Sequence, residues 1–125
     1  MFKTLIVEDN APFRQSLREI LSERFPAMVI DEAESGKEAM QKIQDSLPHL
    51  VFMDIKLPDE NGLEITRKIK RRYAKIRVII LTSYDLPEYR EAANNFGADY
   101  FVAKGSSSRE EIMALVDDIG SKLNL

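Results

Sequence analysis

The sequence predicts an α/β domain in which helices cover both faces of a parallel, five-stranded sheet. Three observations carry this. Short apolar runs alternate with amphipathic stretches about five times along the chain, the pattern of repeated βα units. The run Val78-Ile79-Ile80-Leu81 contains no polar residue, as a central strand covered on both sides requires. The length of 125 residues is that of one ordinary domain, and such a chain buries roughly two-thirds of its unfolded surface. Residues 1–125 are therefore expected to form a single domain.

The elements follow in order. Leu5-Ile6-Val7 carries the first strand. Phe13, Leu17, Ile20 and Leu21 then recur at helical spacing. Pro12 falls in the first turn of that helix, where a missing N–H costs nothing. Val29-Ile30 opens a weaker strand that runs to about Ala33. Ser35 followed by Glu38 is a capping-box pattern, and it leads into a helix with Ala39, Met40 and Ile43. Pro48 separates that helix from a third strand, Leu50 to Asp54. The turn residues Pro58, Asp59, Asn61 and Gly62 precede a helix that carries Ile65 and Ile69 and ends near Arg72. After the fourth strand, a helix from about Pro87 to Phe96 stops at Gly97, a residue suited to a C-cap. Tyr100-Phe101-Val102-Ala103 is the fifth strand. Ser107 and Glu110 make a second capping box, and the last helix places Ile112, Leu115, Val116 and Ile119 on one face.

Composition removes several classes of function. Hydrophobic residues make up 44% of the chain and charged residues 31%, a globular rather than a disordered balance. There is no cysteine, which excludes disulfides and thiolate metal sites. The single histidine, His49, excludes a multi-histidine metal site within one chain. A net charge of −3 gives no overall electrostatic footprint for nucleic acid. The longest apolar runs, about five residues, fall far short of the ~20 that span a bilayer. The opening MFKTLIVED lacks the apolar stretch of a signal peptide. The expectation is a cytoplasmic chain that contacts neither a membrane nor, directly, nucleic acid.

In an open α/β sheet, ligands bind at the carboxyl ends of the strands, near the point where strand order reverses. The residues expected there are Glu8 and Asp9 after the first strand, Asp54 after the third, Thr82 and Ser83 after the fourth, and Lys104 after the fifth. Three carboxylates in one cleft repel, and each raises the pKa of the others. Protons or a cation must neutralise them. With oxygen ligands alone, a hard divalent ion fits, and Mg²⁺ is the usual intracellular choice. A metal and an ammonium converging on a carboxylate form an anion trap around a nucleophile. That arrangement fits phosphoryl transfer to Asp54, with the metal and Lys104 holding the phosphoryl oxygens. Taken singly, these residues carry little. Asp54 reads as a turn residue, Glu8-Asp9 as a capping pair on a helix dipole, Thr82 as a cap and Lys104 as solvated. Phe52 and Met53 read as core, and His49 as a loop residue. The weight lies in the joint placement.

The segments "LIVEDN", "LVFMDIKLPDENGLE", "VIILTSY" and "GADYFVAK" together resemble the receiver domain of bacterial two-component response regulators, the CheY-like superfamily, over essentially the whole chain. The resemblance implies a flavodoxin-like, doubly wound (βα)5 fold with strand order 2-1-3-4-5. It implies that Asp54 takes a phosphoryl group from the phosphohistidine of a sensor histidine kinase or a phosphotransfer protein, and that the chain is not a turnover enzyme. Glu8, Asp9, Asp54 and the backbone carbonyl of Lys56 match the family's Mg²⁺ ligands, and Mn²⁺ is expected to substitute. Thr82 matches the switch hydroxyl, Phe101 the switch aromatic and Lys104 the family's lysine. The surface of the fourth helix, fifth strand and fifth helix would then change. An output domain, a protein partner or a second copy in a phosphorylation-dependent homodimer would read it. His49 is not a phosphodonor in this reading.

Two positions depart from the family's usual pattern. Gly105, not proline, follows Lys104, as in some members with a helix-turn-helix output domain. A trans bond is then expected, because cis before a non-proline residue costs about 2.5–4 kcal/mol. Phe101 lacks the hydroxyl that tyrosine would offer. Tyr84 and Lys56, each two residues past a site residue, are expected to flank the path of hydrolytic water. Two other functions share this fold class. A flavodoxin-like or nucleotide-binding module needs a Gly-rich phosphate loop, and the glycines at 36, 62, 97, 105 and 120 form none. A metal-dependent phosphatase with an aspartyl nucleophile needs a second acid two residues on, where Lys56 stands.

Overall fold

A computed structural model describes residues 1–125. Strands and helices alternate throughout: β1 (Lys3–Val7), α1 (Ala11–Arg24), β2 (Val29–Ala33), α2 (Gly36–Ser46), β3 (Leu50–Met53), α3 (Gly62–Arg72), β4 (Arg77–Thr82), α4 (Pro87–Asn95), β5 (Tyr100–Ala103) and α5 (Arg109–Lys122). The strands pair in parallel in the order β2-β1-β3-β4-β5. The order expected from the resemblance is the order found. Strand order reverses between β1 and β3, so the crevice of a doubly wound sheet opens at their carboxyl ends.

Strand alternation splits the core into two layers. Leu5, Val7, Val51, Met53, Val78 and Ile80 face one way and pack with Ala39, Ile43, Ile65 and Ile69. Ile6, Leu50, Phe52, Ile79, Leu81 and Val102 face the other way and pack with Leu17, Leu21, Met113, Val116 and Ile119. Each fully buried aliphatic side chain contributes about 1.5–3 kcal/mol, so packing on both faces stabilises the sheet that carries the site. β3 and β4 are buried along nearly all their length. β2 is an edge strand, and Asp31 and Glu32 on it discourage pairing with another sheet.

Three local expectations shift. β3 stops at Met53, one residue earlier than expected, because the Asp54 carboxylate accepts the Ile55 N–H at 2.8 Å and turns the chain out of the ladder. The α5 cap is Ser108 with Glu111, not Ser107 with Glu110: the Ser108 hydroxyl accepts the Glu111 N–H at 3.1 Å. The Ser107 N–H is taken by the Ala103 carbonyl. α4 ends at Asn95 with Phe96 as its cap, and Gly97 follows at φ +93, the left-handed conformation glycine adopts freely. Ser35 caps α2 as expected, although Glu38 reaches back to the Glu34 N–H rather than to Ser35. Every peptide bond is trans, Lys104–Gly105 included. No helix is long and apolar enough to cross a membrane.

Candidate functional site

β1 delivers Glu8 and Asp9 to the crevice. The Glu8 N–H still bonds the Ala33 carbonyl at 2.9 Å, so its backbone continues the β1–β2 ladder. Its side chain turns inward and is 3% exposed. Oε2 of Glu8 accepts the Asn10 N–H at 3.1 Å, while Asn10 caps α1 through the Phe13 N–H. Asp9 faces solvent.

β3 delivers Asp54. Its N–H reaches the Val7 carbonyl at 3.1 Å, which ties the acid to the end of β1, and the residue is 7% exposed. Gly62 lies directly beneath. A Cβ there would come 1.9 Å from the Asp54 carbonyl oxygen, so only glycine permits α3 to start so close to the acid. Carboxylate oxygens of Glu8, Asp9 and Asp54 lie within 4.8 Å of one another.

Lys104, just past β5, enters from the opposite side. Its N–H bonds the Thr82 carbonyl at 2.8 Å. Its ammonium donates to Glu8 Oε1 and lies 3.4 Å from Asp54 Oδ2. The Phe13 ring sits 4.2 Å from the ammonium, an attraction between cation and ring face that helps hold it in place. Four of the expected residues, Glu8, Asp9, Asp54 and Lys104, thus meet in one cluster.

Glu8 is pushed up to about 7 from its usual 4.5. Burial is the largest cause; the Lys104 ammonium and the Asn10 N–H pull it down, and the Asp54 charge adds a smaller upward push. Mutual repulsion was the expected cause, and loss of water outranks it. A carboxylate with little access to water cannot ionise cheaply.

The other expected residues stand around this cluster. Thr82 is fully buried at the end of β4, and its hydroxyl accepts the Tyr84 N–H at 3.2 Å. Lys56 lies on the loop after Asp54, bridged to Asn61. Its ammonium leans over the rings of Tyr84 and Tyr89, at 5.3 and 5.8 Å. Phe101 is half-buried against the core layer that contains Val78 and Ile80, with the Arg90 guanidinium 4.6 Å above its ring. His49 lies at the far end of the sheet. Its Nδ1 accepts the Lys3 N–H at 3.0 Å, and burial lowers its pKa.

Two contributors escape the motif reading. Asp59 accepts the Gly36 and Lys37 N–H groups at 2.9 and 3.0 Å, and these bonds hold its carboxyl below the usual range. It fastens the loop after Asp54 to the start of α2. Its partners are 23 and 22 residues away, so no local pattern announces them. Arg14 is the second. It shares a helix face with Leu17 and Leu21, three and seven positions on, and a charge in line with a buried stripe was the signal available.

A doubly wound sheet thus carries three acids and a lysine at its switch point, an all-oxygen donor set beside one ammonium. The chain belongs to the response regulator receiver domain family, which matches residues 4–117. It is 36% identical to the chemotaxis protein CheY of Halobacterium salinarum, over 94% of this chain and 95% of that one. It is 30% identical to the response regulator GacA of Pseudomonas protegens, over 92% of this chain and 54% of that protein. The chain therefore spans about half the length of GacA. Among solved structures, the response regulator TrrA of Thermotoga maritima in complex with Mg²⁺-BeF superposes with a TM-score of 0.84. It is 33% identical, over 95% of this chain and 99% of that one.

Proposed function

We propose that residues 1–125 form a phosphoacceptor receiver that takes a phosphoryl group from a sensor histidine kinase or a phosphotransfer protein onto Asp54, in a Mg²⁺-dependent reaction. The observation that carries this is the cluster of Glu8, Asp9 and Asp54 oxygens within 4.8 Å, with the Lys104 ammonium on two of them. An oxygen of Asp54 attacks phosphorus, an acyl phosphate P–O bond forms, and the P–N bond to the donor imidazole breaks with its electrons staying on nitrogen.

The donor set is hard oxygen throughout, which fits Mg²⁺ and admits Mn²⁺. Glu8, Asp9, Asp54 and the Lys56 carbonyl would hold the ion, which supplies positive charge against the phosphoryl oxygens. The Mg²⁺-BeF complex of TrrA supports this choice. Glu8 must give up its proton to serve as a ligand. Lys104 then turns from the carboxylates to a phosphoryl oxygen, and Phe13 keeps its ammonium at the site. The chain assists its own phosphorylation and dephosphorylation and is not a turnover enzyme.

Thr82 would exchange its bond from Tyr84 for one to a phosphoryl oxygen. The following loop carries Asp85, which pairs at 2.5 Å with Arg90, and Arg90 covers Phe101. Movement of that loop therefore pulls on the group above the ring. Burying the rest of Phe101 is worth at most about 1.5–3 kcal/mol, the scale of a two-state switch. The α4–β5–α5 face would change, and an output domain, a protein partner or a second copy would read it. NMR of the Phe101 ring, with and without an acyl-phosphate mimic, reports this step. In this reading the chain works in the cytoplasm and contacts neither membrane nor nucleic acid itself.

The test is incubation with acetyl phosphate and Mg²⁺, read by intact mass. One labile phosphoryl group should appear, should require Mg²⁺ or Mn²⁺, and should be absent from Asp54→Asn. Equal labelling of that variant would remove Asp54 from its role. Rapid multiple-turnover hydrolysis of the donor with no phosphoryl group accumulating on the chain would favour the phosphatase reading.

A further inference from the structure

We propose that Arg14 is a positioning residue for the metal site, because it fixes the peptide plane from which Glu8 and Asp9 diverge. The proposal rests on the Mg²⁺ reading above. The Arg14 side chain is 13% exposed, although it comes from the first turns of a surface helix. Its guanidinium is spent on three elements at once. Nη1 donates to the Glu8 carbonyl at 2.7 Å, Nε to Glu32 Oε1 at 2.6 Å, and Nη2 to Glu34 Oε1 at 3.1 Å. These acceptors lie after β1, on β2 and in the loop before α2.

The Glu8 contact is the one that matters for the site. The β1–β2 ladder ends at the Glu8 N–H, which bonds the Ala33 carbonyl. The next group in the chain, the Glu8 carbonyl, accepts from Arg14. That carbonyl belongs to the rigid peptide plane joining residues 8 and 9. Rotation of this plane would change the direction in which Asp9 leaves the strand, while the ladder still held Glu8. Arg14 blocks that rotation. Glu32 and Glu34 in turn hold the planar fork of the guanidinium, which is pre-organised for several simultaneous acceptors. Glu32 is also held by Arg18, at 2.6 Å through its other oxygen. Arg18 belongs to the same network but has no bond to Glu8.

The sign of one measurement separates this role from simple electrostatics. Arg14 is a cation near a site for a cation. If charge were its only influence, removing it would tighten Mg²⁺ binding. If it positions the acids, removing it loosens binding, as loss of groups that orient metal ligands does. A purely structural tether would lower the melting temperature and leave the Mg²⁺ affinity of the folded protein unchanged.

The experiment is a calorimetric Mg²⁺ titration of the unphosphorylated protein, with circular dichroism confirming the fold of each variant. Arg14→Met should raise the Kd about tenfold, the lower end of the range for such orienting groups. Arg14→Lys keeps the charge but cannot span all three acceptors, so it should weaken binding as well. Arg18→Met should bind Mg²⁺ as the parent does. An Arg14→Met protein that folds and binds Mg²⁺ equally well or more tightly overturns the proposal. Should Arg14→Met not fold, an unchanged Kd in Arg14→Lys overturns it instead. A parent protein that binds no Mg²⁺ overturns the metal reading itself, and with it this role, before any variant is compared.

Discussion

Glu8 makes the metal-free protein sensitive to pH in a window where few carboxylates titrate. Its pKa rises from 4.5 to about 7 on folding, chiefly through burial. The folded chain therefore keeps a proton that the unfolded chain releases. Stability from this group is complete below about pH 4.5, falls as pH rises through about 7, and is level above. At about 1.4 kcal/mol per pKa unit, the loss is about 3 kcal/mol at most. His49 acts in the opposite sense: its folded pKa is lowered from 6.5 by burial, so its contribution to stability grows with pH up to that value. The quantity to measure is thus the difference between the parent and Glu8→Gln, which keeps the size and polarity of the side chain and cannot ionise. Thermal unfolding in EDTA from pH 5 to pH 8 should show the parent losing stability relative to the variant. A domain of this size moves its Tm by roughly 4 °C per kcal/mol, so the gap between the two should change by about 10 °C. Saturating Mg²⁺ should restore the parent at pH 8, since binding to the folded state adds to stability. Parallel pH profiles for parent and variant would refute the buried, protonated Glu8.

Gly62→Ala should cost about 3 kcal/mol in urea unfolding, because the new methyl meets the Asp54 backbone rather than a movable side chain; Gly105→Ala, with nothing within 4 Å, is the matched control. Thr4→Val should stabilise the fold by about 1 kcal/mol, because the Thr4 hydroxyl is buried without a partner; a lower urea midpoint in that variant would contradict this. On the proposed phosphoprotein, Tyr84→Ala should shorten the half-life of the phosphoryl group severalfold while leaving labelling intact, because it opens the site and releases Lys56 from one of its two rings. An unaltered half-life would remove Tyr84 from that step.

The layered fold was legible because strand and helix periods are local properties of the chain. The runs at Leu5–Val7, Leu50–Met53 and Val78–Leu81 are covered on both faces and announce themselves. The four clustered site residues were legible because each sits at a strand end, where the fold class alone directs attention. Other features depend on competition among nearby groups. Ser106, Ser107 and Ser108 face Glu110 and Glu111, so the capping pattern fits in two registers, and only the bond from the Ser107 N–H to Ala103 decides between them. The end of β3 depends on whether the Asp54 carboxylate captures the next amide, a choice between two bonds of similar strength. Arg14 and Asp59 act between elements, and their partners become neighbours only after the sheet has assembled.

The two sides of the acid cluster are held very differently, and this bears on where a signal can leave. On the β1–β3 side the fastenings are long-range. Arg14 joins α1 to the ends of β1 and β2, Asp59 joins the loop after Asp54 to α2, and Gly62 lies against the Asp54 backbone. α3 buries Gly62, Leu63, Ile65, Thr66 and Ile69 against the core. On the β4 side the side-chain hydrogen bonds are local. Thr82 bonds to Tyr84 two residues on, and Asp85 pairs with Arg90 five residues on. α4 is the shortest helix, with 9 residues, and Ala93 is the one residue of it that is buried. α1, α2, α3 and α5 each begin with a side-chain cap from Asn10, Ser35, Asn61 or Ser108, whereas α4 begins at Leu86 with none. Segments with few buried apolar contacts and uncapped ends open at the lowest free energy. A new charge at Asp54 therefore meets a rigid wall toward α1, α2 and α3 and a compliant one toward α4. The compliant wall carries Thr82 at one end and Arg90, over Phe101, at the other. On the proposed phosphoprotein, a displacement read by a partner would therefore fall on the α4–β5–α5 face, because that is where the same force does the least work against the fold.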